Sequence, residues 1–131
     1  MSAPSLHSFQ DQVSELLLRH RSLLDVMSKM GQTNAAATRS VTKAITECGC
    51  IELHATKQDF EPGMDLQEAK ETISKHVQGE LCENCRDVIT NELGRSLFYM
   101  SALCNLLGID MEEILERESQ KCSTLGLFNM S

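Results

Sequence analysis

Six cysteines in 131 residues are the side chains in this chain best suited to chemistry. Cys82-Glu-Asn-Cys85 sets two thiols three residues apart. On a helix that spacing shares a face, and the free N–H groups of a helix start favour thiolate. Such a pair suits a metal clamp or a redox couple, with two thiols packed in a helix interface as the ordinary alternative. A closed tetrahedral zinc site needs a second ligand pair. Glu47, Cys50, Ile51 and His54 follow one another at i, i+3, i+4 and i+7, the spacing of one helical face, and three of the four are good metal ligands. Cys50 and His54 are therefore the expected second pair. Cys48 falls about 100° from Glu47 on a regular helix. It is expected to be a buried small apolar residue unless Gly49 distorts the turn. Cys104 and Cys122 have no partners at ligand spacing and read as structural.

Glu92 is the other candidate. With about 100° per residue, Leu81, Cys85, Val88, Tyr99, Leu103 and Leu106 fall within about 40° of it. A carboxylate in the middle of an apolar stripe must be paired, protonated or bound to a metal. A local ion pair with Arg95, three residues on, is the alternative.

Positioning these residues requires long helices. The apolar period predicts a first helix over 5–30, carrying Phe9, Val13, Leu16, Leu17, Leu24 and Met27 inward, with His20 in the same stripe as a packed core residue. Gly31 and Asn34 predict a bend. A second helix is expected over 35–56 and a fourth segment over 80–107, ended by Gly108 in a left-handed cap. Pro62-Gly63 marks a loop. Asp65 with Glu68 and Asp110 with Glu113 read as capping boxes opening a short helix and a last one, the former stopped near Gly79. The tail 122–131 is partly apolar, with Leu125, Leu127, Phe128 and Met130 as candidates to dock on this or a neighbouring subunit. The expected fold class is all-α: one domain over 1–131, an antiparallel bundle of four to five helices.

Composition agrees with packed helices. Aromatics make up 4 % and Trp is absent, so the core must use Leu, Ile, Val, Met and Ala. A net charge of -7 repels phosphate backbones and argues against nucleic-acid binding. No apolar run reaches the ~20 residues of a membrane span. The start of the chain lacks a basic segment followed by an apolar one. Cytoplasm is the expected compartment, where unpaired thiols are the rule.

The two motif segments together resemble the MazG-like, all-α NTP pyrophosphohydrolase superfamily, over roughly residues 40 to 120. Glu47-Cys-Gly-Cys50 resembles that family's first ExxE motif. Glu92-Leu-Gly-Arg95 resembles its later ExxD motif, and Leu107-Gly-Ile-Asp110 its passage into the last helix. The resemblance implies a helical bundle, a dimer or tetramer, and a possible nucleotide held through Mg²⁺ by Glu47 and Glu92. Cys50 and Arg95 stand where the family has carboxylates, and Mg²⁺ wants hard oxygen ligands. Impaired or altered Mg-dependent activity is thus expected. The alternative is a non-enzymatic soft-metal or redox-sensing module of Cys50, His54, Cys82 and Cys85, holding zinc or iron.

Overall fold

A computed structural model describes residues 3–17, 22–58, 62–72 and 75–125. It is mostly helical: α1 (Leu6–Leu16), α2 (Leu23–Lys43), α3 (Leu66–Thr72), α4 (Glu83–Leu107) and α5 (Met111–Leu125). A five-residue π turn, Ala44–Cys48, continues α2. Two short strands, β1 (Ile51–Leu53) and β2 (Val77–Gly79), pair antiparallel with Ile51 opposite Gly79 and Leu53 opposite Val77. No described helix is long and apolar enough to cross a membrane.

Several boundaries differ from the sequence expectation. The first long helix does not run over 5–30, since α1 ends at Leu16, and α2 passes straight through Gly31 and Asn34. Glycine in a helix costs only about 1 kcal/mol relative to alanine. Packing of Val26, Thr33, Ala37 and Ser40 on α4 outweighs it, all four being buried. As a result Val13 and Leu17 are core, whereas Leu16 and Leu24 are largely exposed. The second helix ends at Cys48 instead of Thr56, and Gly79 closes a strand instead of a helix. His20 and the tail residues Leu127, Phe128 and Met130 lie outside the described residues, as does the side chain of Leu125.

The end signals of the later helices act locally. Asp65 Oδ1 accepts from Glu68 N at 2.8 Å, and Asp110 Oδ1 from Glu112 N at 3.0 Å. Gly108 takes the left-handed conformation after α4. Helices α2 and α4 form the spine and run antiparallel, because Val26 meets Ala102 in one apolar cluster while Ala44 meets Cys85 in another. The first cluster adds Val13 and Leu17 from the α1 end and Phe98 of α4. Buried Gln10 staples α1 to the α4–α5 turn: its Nε2 donates to Ile109 O at 2.7 Å and its Oε1 accepts from Met111 N at 3.0 Å. The second cluster, Ala44, Ile51, Cys85 and Ile89, closes the opposite end with Cys50, Leu81 and Cys82 packed against it. Three cysteines therefore sit in or against this small core, whose composition alone buries little area.

Candidate metal centre

Helix α2 delivers two of the four thiols by ending abnormally. In the π turn Gly49 N donates to Ala44 O at 2.8 Å, one residue wider than an α turn. Gly49 then adopts φ 78, a conformation glycine takes without steric cost, and the chain turns sharply into β1. Cys48 and Cys50 are thus not on a regular helix, and the 100° separation assumed for one does not apply. The widened turn and the glycine bring both thiols to the same site.

The other pair comes from the start of α4. Cys82 is the N-cap, and its Sγ accepts from Cys85 N at 3.4 Å. The β1–β2 pairing holds this start beside Cys50. Gly79 has φ 88, and a Cβ there would lie 2.5 Å from Cys50 O. Only glycine permits so close an approach of the two backbones.

Cys48, Cys50, Cys82 and Cys85 each present a sulfur, and all four atoms lie within 4.8 Å of one another. Cys48 Sγ and Cys82 Sγ stand 3.8 Å apart. Tetrahedral zinc with bonds of ~2.3 Å places its sulfurs about 3.8 Å apart, so a small contraction of the group would match that geometry. Cys48 is exposed, Cys50 and Cys82 are half-buried and Cys85 is buried. All six cysteines of the chain are free thiols.

The site is electrostatically graded. The backbone N–H of Cys85, then its thiol, donate to Cys82 and hold that thiol down at about 7. Cys85, donating to Cys82 and buried, is pushed up to about 12. One thiolate is thus ready near neutral pH, and a cation is the natural way to deprotonate the rest.

The remaining sequence candidates fall elsewhere. His54 is not one of the clustered ligands: it follows β1, half its side chain is exposed, and Nε2 lies 3.0 Å from Glu52 Oε2. Its expected place depended on a helix that stops at Cys48. Glu92 is half-buried, and Arg95 Nη1 lies 3.5 Å from its Oε2, the local ion pair that the spacing offered as the alternative to a metal. Glu47 is exposed. Both glutamates line one groove of about 470 Å³ between α2 and α4, with Arg39 and Lys43 on the α2 wall and Cys48 and Cys85 at its end. Cys104 is buried and Cys122 exposed, and neither belongs to the cluster. Sequence reasoning missed Cys48, and the signal that marks it is Gly49 between two cysteines. Comparison of the chain with protein-family models, with curated proteins and with solved structures finds no match.

Proposed function

We propose that this chain is a helical module built round a soft-metal centre, with Cys48, Cys50, Cys82 and Cys85 holding one zinc or iron ion in a structural role. The observation that carries this reading is the convergence of four thiols from two separate segments, 48–50 and 82–85, within 4.8 Å. Four thiolates fill a tetrahedral shell and leave no open position for substrate, which is the mark of a structural site. Sulfur favours zinc or iron over Mg²⁺ or Ca²⁺. Free thiols at this density fit a reducing compartment such as the cytoplasm. Elemental analysis of protein purified without a metal-binding tag tests the reading. About one zinc or iron per chain is expected, retained in His54→Ala and lost in Cys48→Ser. Equal metal content in Cys48→Ser and the unsubstituted chain would contradict it.

The same thiols support a redox-sensing role. Peroxide would take two electrons from Cys48 and Cys82, join them in a disulfide, become two waters and leave the metal with half its ligands.

The MazG-like reading remains a second proposal, because Glu47 and Glu92 line one groove. Cys50 belongs to the thiol cluster and Arg95 pairs with Glu92, so the groove offers Mg²⁺ a poor cage. Little or no Mg-dependent pyrophosphate release from nucleoside triphosphates is expected. Robust turnover abolished by Glu92→Gln would reverse the ranking of the two readings.

A further inference from the structure

One of the four clustered thiols stands apart from the core. Cys85 belongs to the second apolar cluster and Cys50 and Cys82 pack against it, whereas Cys48 does neither and is exposed. A closed shell of four sulfurs has no open position, so anything that reaches its ion must displace a ligand. Releasing Cys48 disturbs the apolar cluster least. Cys48 also lines the end of the α2–α4 groove of about 470 Å³, which therefore opens on the exchangeable edge of the centre.

The groove holds charges that the fold leaves unused. Of its four charged residues, Glu92 is paired with Arg95. Arg39, Lys43 and Glu47 are exposed and form no ion pair with any described residue. Arg39 and Lys43 stand at i,i+4 on α2, a placing of like charges that costs a helix stability. In a chain of net charge -7 they give this wall a local positive potential. They precede Cys48 by nine and five residues, about 13 and 7 Å along a helix rising ~1.5 Å per residue. A peptide of two to four residues, at ~3.5 Å each, spans those distances.

We propose that this groove binds a small thiol peptide carrying two carboxylates and one ammonium, and that the peptide's sulfur displaces Cys48 from the metal. The proposal rests on the four-cysteine centre described above. The unpaired charges set the ligand. Arg39 and Lys43 each take a carboxylate, Glu47 takes the ammonium, and the thiol reaches the ion at the end of the groove. In the exchange a bond from the metal to the peptide sulfur forms and the bond to Cys48 breaks. The proton of the peptide thiol passes to Cys48 Sγ, and no electrons are transferred. The centre, opened in this way, yields its ion to an acceptor at a rate that the thiol peptide sets.

Transfer of zinc from the loaded full chain to a coloured chelator tests this, with glutathione as the probe. At equal thiolate concentration glutathione should speed transfer at least about fivefold over its diester and over thioglycerol, each exposed ion pair contributing a factor of about two. The advantage should fade with added salt. It should vanish in Arg39→Gln/Lys43→Gln, both surface positions, and persist in Lys121→Gln on α5. S-methylglutathione keeps the charges without the thiol and should compete. Equal rates with glutathione and its diester, or an advantage untouched by the double substitution, would overturn the proposal. So would competition by a nucleoside triphosphate as strong as that by S-methylglutathione, which would make the groove a general anion site. A chain without zinc on elemental analysis contradicts the four-cysteine reading instead. Shifts of the Arg39 and Lys43 amide signals on adding S-methylglutathione then still decide whether the groove binds the peptide.

Discussion

Chelation of the metal proposed for the four thiols should open the β1–β2 end of the molecule and leave the α1–α2–α4 end folded. Among the described residues the second core cluster has four that are buried, and one of them, Cys85, is a proposed ligand. The first cluster contains no cysteine and is braced separately by Gln10. A ligand present a thousandfold above its Kd adds about 4 kcal/mol to the folded state. For a domain near this size each kcal/mol moves Tm by about 3 to 6 °C. Stripping the metal should therefore lower Tm by more than about 10 °C. Hydrogen exchange should report the loss of protection at residues 44–53 and 77–89, with little change at 98–104. Uniform loss of protection along the chain would show that the two ends are one cooperative unit. No change at either end would mean that the thiols bind nothing of structural value.

Gly79→Ala should have the next largest effect. The added methyl would meet Cys50 O at 2.5 Å, a backbone atom that cannot rotate away, and φ 88 is unfavourable for alanine in any case. The strands must part or shift, and Cys50 then moves relative to Cys82 and Cys85. Zinc–sulfur bonds tolerate little error in length, so a shift of this kind should weaken metal affinity at least about tenfold. Gly63→Ala is the comparison: it also has positive φ, but its Cβ would meet nothing within 4 Å. Competition against a coloured chelator measures both. Equal affinities would show that the β1–β2 apposition does not position the site.

How far the sequence reveals this arrangement depends on the range of each signal. The Cys82–Cys85 pair is legible because three residues of helix set its geometry, and the cap at Cys82 is local. Asp65 and Gly108 are legible for the same reason. Cys48 and His54 are not, because their placement hangs on where α2 stops. A helical wheel carried past Gly49 puts His54 beside Cys50 and turns Cys48 away; the π turn reverses both. The strands have three residues each, too few to show alternation, and β1 forms only because residues 77–79 return to it. The α2–α4 seam escapes notice for another reason. Its buried residues include Thr33, Ser40 and Ser96, small side chains that an apolar count passes over. Several large apolar residues that the helical period places inward, Leu24 and Met27 of α2 and Val88 and Leu106 of α4, are exposed instead.

X-ray absorption at the metal edge of tag-free protein tests the central claim most directly. Four sulfur neighbours at about 2.3 Å, with no nitrogen or oxygen in the first shell, are the expected result for zinc. In Cys48→Ser that shell should be incomplete, while in His54→Ala it should be unchanged. A first shell with nitrogen at ~2.0 Å that disappears in His54→Ala would contradict the four-cysteine assignment. Absence of any stoichiometric metal would contradict the centre itself.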